Sequence, residues 1–400
     1  MASQAAQEIR SEAPRSSADP AAAEDIRGAM DALCADLYKV VAREPGNLVV
    51  SPYSVGIALA MTRVGAVGET SKQMDTVLHA ELAKDLNAGF NALDQALVKR
   101  PEKFKFRDRM LDLGLEFATA NRLWGQEEFI FERPFLDVLA KDYGAGMQIV
   151  DYKAAADGAR RTINDWVAAR TRDRIKEIIP PGMIDSQTRL VLTSAIYLRA
   201  TWSQPFHAAV AGTFHRADGS DVKARMMSQS KTLRYAAGDN YQAVRLSYAG
   251  GLSMVLIVPS AGRLASFEHA LDGKTLRRIV SGLRDTQVRL SMPKFSFRSQ
   301  AQLKDVLSEL GMPIAFTGRA DFSRMTMQEP LEIVDVAHQA FITVDEKGTE
   351  AAAAIAMWSL GMLAPLRPVE LHIDRPFLFL IQDDETGAVL FMGRVSDPTT

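Results

Sequence analysis

Cysteine is almost missing from this chain. Cys34 is the only one among 400 residues, so no internal disulfide can form, and the cysteine count leaves the cellular compartment open. Cys34 lies in a helical pattern of apolar residues, where an unpaired cysteine behaves as a small hydrophobe. We therefore predict a core position for it rather than a reactive thiol.

Long apolar runs are missing as well. No stretch offers the ~20 apolar residues that a helix needs to span a bilayer, and residues 1–20 are polar and lack the apolar core of a signal peptide. We therefore expect a disordered leader over residues 1–21, followed by a single domain over residues 22–400. The chain is expected in the cytoplasm, or outside the cell if another export route carries it.

An excess of charge and the common catalytic signatures are also absent. The 47 Lys and Arg residues nearly balance 49 Asp and Glu, so neither nucleic acid nor an anionic membrane is the expected partner. The chain has no Gly-x-Ser-x-Gly, His-Glu-x-x-His or Gly-x-x-x-x-Gly-Lys-Ser/Thr motif. Its six histidines show no metal-ligand spacing. We expect no enzyme activity, no cofactor and no metal site.

The residues that are present predict a globular chain of mixed helix and strand. Hydrophobic residues make up 47% of it, as in ordinary soluble domains. Apolar residues three and four apart predict helices at 23–43, 69–79, 82–98 and 133–144, within 155–179, and at 303–310. Alternating or continuous apolar runs predict strands at 115–124, 189–197, 292–297 and 340–345, a strand pair in 244–259 and a terminal hairpin in 374–398.

The stretch from Asp345 to Pro368 is unusual because small residues follow a strand. Four consecutive alanines at 351–354 would suggest a helix. The flanks argue against it, because a strand leads directly in, Gly348 permits a bend and prolines follow at 365 and 368. The alternative is an extended segment whose small side chains slip between two strands. If Thr349 points inward, side chains 351, 353, 355 and 357 also do, and Glu350 faces outward.

At this point a family resemblance is visible. The segment Glu346-Lys-Gly-Thr-Glu-Ala-Ala-Ala-Ala354 closely resembles the hinge of inhibitory serpins, and the resemblance extends from about Ala22 to Pro398. It implies an α+β serpin fold: a large central mixed β-sheet, two further sheets, about eight to nine helices and an exposed reactive-centre loop over about 346–368. It also implies a monomer of the prokaryotic type that inhibits serine proteases as a suicide substrate.

The resemblance also assigns roles near the main sheet. Four residues match a buried polar cluster that controls sheet opening: Ser51, Ser54, Ser194 and His338. The family consensus has Asn where this chain has Ser194, and the shorter side chain makes fewer hydrogen bonds. Ser51 is in addition the predicted cap of a helix that begins at Pro52.

Two residues are matched to the place where the hinge meets the sheet. Trp202 resembles the tryptophan at the top of the sheet, and Lys294 is expected to pair with Glu346. An exposed ion pair is worth only ~0–1 kcal/mol. The hinge itself comprises nine residues: Glu346, Lys347, Gly348, Thr349, Glu350, Ala351, Ala352, Ala353 and Ala354.

The scissile bond follows from the family spacing. The cleaved residue lies sixteen positions after the glutamate that precedes Lys-Gly-Thr, which indicates the bond between Met362 and Leu363. Leu360, Leu363 and Arg367 stay open as the cleaved residue because the following segment is longer than usual. Met362 would suit a chymotrypsin-, elastase- or subtilisin-like protease, and a papain-like cysteine protease is a further candidate. A non-inhibitory serpin-fold carrier or chaperone is the alternative function.

Overall fold

The computed structural model describes residues 7–99, 103–106, 109–112, 114–349 and 368–400. Its helices are α1 Pro20–Asp25, α2 Arg27–Val41, α3 Pro52–Arg63, α4 Gly68–Val77, α5 Leu86–Val98, α6 Arg133–Tyr143, α7 Tyr152–Arg170, α8 Leu264–Ala270, α9 Gly273–Gly282 and α10 Lys304–Leu310. Two short 3₁₀ helices are Ala80–Leu82 and Pro313–Phe316.

The strands are β1 Gln7–Ile9, β2 Leu48–Val50, β3 Lys103–Phe106, β4 Arg109–Asp112, β5 Glu116–Gln126, β6 Met147–Val150, β7 Leu190–Thr201, β8 His207–His215 and β9 Asp221–Gly238. They continue with β10 Tyr241–Ser247, β11 Leu252–Pro259, β12 Arg284–Pro293, β13 Phe295–Gln302, β14 Val336–Val344, β15 Gly348–Thr349, β16 Val369–His372, β17 Phe377–Asp383 and β18 Val389–Val395.

The central sheet is mixed, as expected. Its order is β1-β6-β5-β7-β14-β13, and β15 pairs with β7 off this path. β7 lies antiparallel to β5 and parallel to β14, which in turn lies antiparallel to β13. β7 is almost entirely buried on both faces, which is why its sequence is a continuous apolar run rather than an alternation.

The two further sheets that the resemblance implies are joined into one nine-stranded sheet, because both include the long strand β9. β9 pairs with β8 at its beginning, with β12 along its middle and with β10 at its end. The resulting ladder runs β16-β12-β9-β10-β11-β17-β18-β2, and β8 pairs with β9 beside this path. β3 and β4 form a separate hairpin.

Most predicted elements lie within a few residues of the observed ones. The helix predicted over 23–43 is divided into α1 and α2 at Ile26, so the ten helices of the described residues become nine when these two are counted together. The strand predicted at 292–297 is instead the junction of β12 and β13. Lys294 separates the two strands and donates its backbone N–H to the Arg225 carbonyl.

The disordered leader was a wrong expectation for residues 7–21. Gln7–Ile9 pairs with β6 and thereby covers the edge of the central sheet, while Glu8 Oε1 accepts the Gly146 N–H at 3.0 Å. Arg15 donates to Asn91 and forms an ion pair with Asp94 at 2.6 Å. Polar composition predicted disorder because few apolar groups were available for burial, but strand pairing, hydrogen bonds and one ion pair order this segment instead.

A large apolar core separates the two main sheets, and a smaller cluster lies on the opposite face of the central sheet. This second cluster packs α7 and the segment after it against β5 and β7. Asn164 on α7 anchors that segment, because its side chain bonds the backbone of Ile178 and Ile179 at 2.9–3.0 Å. In the described part of the chain, no helix is long and apolar enough to cross a membrane.

Candidate functional site at the top of the central sheet

The two middle strands of the central sheet pair over only part of their length. The parallel ladder between β7 and β14 runs from Leu192–Val336 to Ile196–Ala340. Above it, β14 continues to pair with β13 as far as Val344, whereas β7 pairs with β15 through Ala200 and Thr201. The strands therefore part in their upper half, and the start of the hinge occupies the opening.

A tight turn carries the chain from β14 back into this opening. The Asp345 N–H donates to the Gly348 carbonyl at 2.8 Å, and Asp345 Oδ1 accepts the N–H groups of Lys347 and Gly348 at 2.8 and 3.2 Å. An Asp side chain that bonds backbone two and three residues ahead stabilises such a turn. The turn reverses the chain, so Gly348–Thr349 lies antiparallel to β7.

Glycine is required at position 348 for two reasons. Its φ is +150°, and a Cβ atom built there would lie 2.1 Å from the carbonyl oxygen of Ala200. No rotation of a side chain can relieve a contact with backbone. Gly348 therefore allows the hinge to approach β7 closely enough to pair with it.

Trp202, which the sequence assigned to this place, binds the turn directly. Its indole Nε1–H donates to the Asp345 carbonyl at 2.9 Å, and its backbone N–H donates to the Lys347 carbonyl at 2.8 Å. The indole ring stacks on Tyr248 with centroids 4.1 Å apart. Trp202 is thus a rigid support on which the hinge begins.

The expected ion pair between Lys294 and Glu346 is present but is not an exposed pair. Lys294 Nζ lies 2.8 Å from Glu346 Oε2, and the two side chains are 36% and 23% exposed. Glu346 Oε1 also accepts the Ala209 N–H at 3.0 Å, and the Glu346 carbonyl accepts the Phe206 N–H at 2.8 Å. Glu346 therefore joins the turn to the β8 segment through several bonds.

The protonation of Glu346 reflects these contacts. Burial alone would raise the pKa of its carboxyl, but the hydrogen bonds from Lys294 and from backbone N–H groups outweigh burial and lower the pKa to about 2. The carboxylate is therefore ionised at any physiological pH. The contacts at this end of the hinge weaken only as the pH falls from about 4.5 towards 2.

The lower half of the same strand pair contains the predicted polar cluster. His338 is a direct partner of Ser194 across the β14–β7 ladder. Its Nε2 accepts the backbone N–H of Ser51 at 3.1 Å, and its Nδ1 lies 3.0 Å from both the hydroxyl and the carbonyl of Ser194. Because Nε2 accepts, the proton of the neutral ring lies on Nδ1 and is donated to Ser194.

Complete burial keeps this histidine neutral. Desolvation lowers the pKa of His338 to about 4, against a smaller opposing effect of the Ser194 backbone. A proton on Nε2 would face the Ser51 N–H donor. Only the neutral ring can accept the Ser51 N–H at Nε2 while it donates from Nδ1 to Ser194, so protonation would break the contact of β14 with the start of α3.

The serines contribute less to the cluster than the sequence implied. Ser51 Oγ caps α3 by accepting the Ser54 N–H at 3.1 Å, so only its backbone reaches His338. Ser54 is fully buried, but within the described residues its hydroxyl has no hydrogen-bond partner. Asn121 was missed: it lies opposite Ser194 on β5, and its buried Oδ1 is likewise unsatisfied in the described structure.

The remaining predicted site residues lie outside the described residues. These are Glu350, Ala351, Ala352, Ala353 and Ala354 of the hinge and the Met362–Leu363 bond. The described residues on either side of this segment pair with strands: Thr349 pairs with β7, and Val369 pairs with β12. In the side chains that the structure describes, no group of three potential ligands could hold a metal ion.

Comparison with known proteins agrees with this geometry. The family model "Serpin (serine protease inhibitor)" matches residues 28–398. A serpin-like protein of Thermococcus kodakarensis is 38% identical over 93% of this chain and 86% of its own. The leukocyte elastase inhibitor of Xenopus laevis is 33% identical over 94% of this chain and all of its own.

Solved structures agree as well. The native-state crystal structure of the thermophilic serpin tengpin superposes with a TM-score of 0.84 at 26% identity, covering 98% of this chain and all of that one. The chain therefore belongs to the serpin family, and its α+β fold is the serpin fold. Members of this family are generally protease inhibitors rather than enzymes.

Proposed function

We propose that this protein inhibits serine proteases as a suicide substrate, by inserting its cleaved loop into the central sheet. The observation that carries the proposal is the position of Gly348–Thr349, which is already paired with the top of β7 where β7 and β14 part. Addition of a strand to an existing sheet is a known recognition mode, and insertion of serpin loops is one of its examples.

The observed pairs set the register that an inserted loop would follow. Gly348 pairs with Thr201 and Thr349 with Ala200. Continued antiparallel, residues 350–359 would fall opposite Arg199 down to Leu190. The remaining length of β7 thus has room for ten further residues, which include the whole alanine tract.

The same register decides which side chains would be buried. Directly opposed residues of an antiparallel pair share a face, and Leu198 and Ile196 belong to the large core, whereas Ala195 belongs to the cluster under α7. Positions 349, 351, 353, 355 and 357 would therefore face the large core. Glu350 would face the other side, opposite Arg199, whose guanidinium lies 2.9 Å from Glu116.

The free energy available from insertion is large. Ten new backbone hydrogen bonds at ~0.5–1.5 kcal/mol each amount to ~5–15 kcal/mol, and burial of Ile355 and Met357 adds ~1.5–3 kcal/mol apiece. The total is comparable with the whole stability of a typical domain, ~5–15 kcal/mol. The uncleaved form would thus be metastable with respect to the inserted one.

Cleavage would release this energy while the protease is attached. The target serine hydroxyl attacks the Met362 carbonyl, the peptide bond breaks, and Leu363 leaves with a new amino terminus. The acyl-enzyme ester keeps the protease on Met362 as the loop enters the sheet, and fourteen positions at ~3.3 Å each would carry it roughly 45 Å. Distortion of the protease then prevents hydrolysis of the ester.

The nature of Met362 and the relatives support one class of target. Met362 is unbranched and apolar and suits a hydrophobic primary pocket, as in chymotrypsin-, elastase- or subtilisin-like enzymes. A related chain is an elastase inhibitor by name. A papain-like cysteine protease would form a thioester in the same trap, and this bond would hold it less durably.

A gel assay tests the proposal. The protein is mixed separately with chymotrypsin, elastase and subtilisin, and a covalent adduct that survives SDS is expected with at least one of them. Sequencing of the new amino terminus should begin at Leu363. Cleavage without any adduct would reject trapping and would favour a non-inhibitory carrier or chaperone, and a terminus elsewhere would reject Met362.

A further inference from the structure

Two arginines from different elements meet on one tryptophan where α7 crosses the central sheet. Arg122 of β5 and Arg170 of α7 lie over the Trp166 ring, with guanidinium carbons 5.5 and 5.2 Å from its centroid. These are cation–π distances. Trp166 in turn packs edge-on against Trp124, with ring centroids 5.4 Å apart. One indole therefore brings an arginine of the sheet close to an arginine of the helix.

Strand register places a third arginine on the same face. Ile9 of β1 and Met147 of β6 are direct partners, and both pack in the large core. The next residues along these strands, Arg10 and Gly146, therefore face the opposite side, towards α7. A Cβ built on Gly146 would lie 2.9 Å from the Cβ of Arg10, so the Arg10 side chain begins beside this glycine.

Arg122 lies on the other side of Gly146. Trp124 belongs to the cluster under α7, and it pairs with Gln148 of the parallel strand β6. Two residues earlier in both strands, Arg122 falls opposite Gly146 and also faces α7. Arg10 and Arg122 are thus two strand spacings apart, roughly 10 Å between their backbones, and the glycine between them has no side chain to fill the gap.

The guanidinium of Arg122 is poorly compensated by its surroundings. The side chain is half-buried, its Nε is buried without a hydrogen-bond partner among the described residues, and its Nη1 donates only to the Asn121 carbonyl at 3.4 Å. Burial lowers the pKa of Arg122, and the positive charges of Arg170 and Arg10 lower it further. Arginine nevertheless stays charged at neutral pH.

One carboxylate lies on the same face as the arginines. Glu8 precedes Ile9 and therefore faces α7, as Arg10 does. Its Oε1 accepts the Gly146 N–H at 3.0 Å, and its charge opposes the lowering of the Arg122 pKa. In the part of the chain that the structure describes, none of the three arginines forms an ion pair. Three cations and one anion leave this group with an excess of two positive charges.

We propose that Arg10, Arg122 and Arg170 bind a tetrahedral dianion of the phosphate class. The anion would lie above Gly146, between Arg10 and the Nη2 of Arg122. This nitrogen has no partner among the described residues and, unlike Nε, is not completely buried. Arg170 would reach the anion from α7, so that the bound ion would join β1, β5 and α7.

Charge and geometry favour this class of ligand. Guanidinium groups bind phosphate oxygens through paired, charge-assisted hydrogen bonds. A phosphate monoester carries about −1.5 to −2 charges at pH 7, which matches the excess of two positive charges. The free ion and a phosphorylated small molecule share this chemistry. The proposal concerns the face that carries α7, and it does not rest on protease inhibition.

Calorimetric titration of the intact protein, at neutral pH and constant ionic strength, tests the proposal. Inorganic phosphate or methyl phosphate is expected to bind with a Kd of about 1 mM or tighter. Binding of inorganic phosphate alone would identify the free ion as the ligand, and binding of methyl phosphate would show that the site accepts monoesters. Methyl sulfate has the same shape but one negative charge, and it should bind at least about fivefold more weakly.

Variants of the exposed arginines provide the second arm. Arg10→Gln and Arg170→Gln should each weaken phosphate binding about tenfold, because each removes charge-assisted hydrogen bonds. Arg122→Lys should also weaken it, since lysine keeps the charge but loses the planar fork. The matched control is Arg278→Gln, which removes an exposed charge on α9 and should leave binding unchanged.

Glu8→Gln should have the opposite effect. The amide oxygen can still accept the Gly146 N–H, but the negative charge is lost, so phosphate binding should become about two- to fivefold tighter. A merely structural role of Glu8 would not produce a gain of affinity.

The proposal is overturned if neither phosphate binds at millimolar concentration, or if methyl sulfate binds as tightly as the phosphates. It is also overturned if Arg10→Gln and Arg170→Gln keep full affinity, if Glu8→Gln fails to strengthen binding, or if Arg278→Gln loses as much affinity as they do. Formation of a protease adduct is a separate measurement, so failure of the trap and failure of this site would be recognised independently.

Discussion

The upper and lower halves of one strand pair differ in what joins them. In the lower half, β7 and β14 pair directly, and His338 binds both Ser194 and the start of α3. In the upper half the strands part, and a turn supported by Trp202 and Glu346 places Gly348–Thr349 against β7. The lower half is therefore closed by direct strand pairing and a buried neutral histidine, whereas in the upper half the start of the hinge pairs with β7 where the two strands part.

This contrast indicates an order of events for insertion. Under the proposed insertion, the pairing of Gly348–Thr349 with β7 would be its first step, and the direct β7–β14 pairing below would have to break before the strand continued. The small side chains of the hinge would ease the first step, and the protonation state and packing of the cluster would oppose the second.

The largest effect is expected from a charge at a hinge position that would face the core after the proposed insertion. In Thr349→Arg or Ala351→Arg, the guanidinium would have to be buried on insertion at a cost of several kcal/mol, so hydrolysis should outrun insertion. The arginine variants should therefore behave as substrates rather than as inhibitors, and cleaved chain should replace the SDS-stable adduct on gels. The controls Thr349→Val and Ala351→Val, which add no charge, should still trap; an undiminished adduct with the arginine variants would refute the insertion register.

The next effect concerns pH and the lower cluster. The pKa of folded His338 is about 4 and the ordinary value is 6.5, so between these values the unfolded chain binds a proton that the folded chain does not. The free energy of unfolding contributed by this residue is therefore complete above pH 6.5 and falls by roughly 3 kcal/mol as the pH drops to 4.

Denaturant melts at several pH values measure this dependence. His338→Gln should lose this pH dependence. Between pH 4 and 6.5 the slope of unfolding free energy against pH should be smaller in the variant than in the wild type, by an amount that corresponds to up to one bound proton. Identical slopes would show that a neutral His338 does not stabilise the pairing in the lower half of the sheet.

A smaller effect is expected from Gly348→Ala in the upper half. The added Cβ would collide with the Ala200 carbonyl, so β15 should leave β7 at a cost of ~1–3 kcal/mol. Gly182→Ala is the matched control, because Gly182 has a φ of +81° but nothing within 4 Å of a Cβ. Thermal unfolding should show a clearly greater loss for Gly348→Ala; equal losses would mean that the contact with β7 does not stabilise the protein.

The smallest effect is a gain from Ser194→Asn. A longer amide could donate to the unsatisfied oxygen of Asn121 or of Ser54, which should add ~0.5–1.5 kcal/mol. If Asn121 is the acceptor, the gain should shrink in an Asn121→Ala background, and a double-mutant cycle on unfolding free energies measures the difference. A loss of stability in Ser194→Asn would instead show that the cluster has no space for the amide.

Much of the hinge site could be predicted from sequence because it is continuous in the chain. Gly348, the small residues after it and the strand before it are read directly from 340–354. Trp202, Lys294 and His338 were found only through resemblance, since no local pattern connects residues that are distant in sequence. Neither local patterns nor the resemblance identified Asn121, because its importance comes from its position opposite Ser194 on the neighbouring strand.

The leader shows a different limit. Composition describes how much apolar surface a segment can bury, and residues 1–21 have little of it. It does not reveal that the edge of β6 is available for pairing, or that Asn91 and Asp94 of α5 face Arg15. The order of residues 7–21 comes from partners supplied by the folded domain.

The sequence by itself determined the order of helices and strands, the small hinge and the family, because periodicity and short motifs are local properties of a chain. Only the tertiary structure decided that Thr349 already pairs with β7, that Glu346 is half-buried and that Ser51 reaches His338 through its backbone. These facts depend on where separate strands meet and on how far their side chains are shielded from solvent. Neither property is encoded in any one segment of the chain.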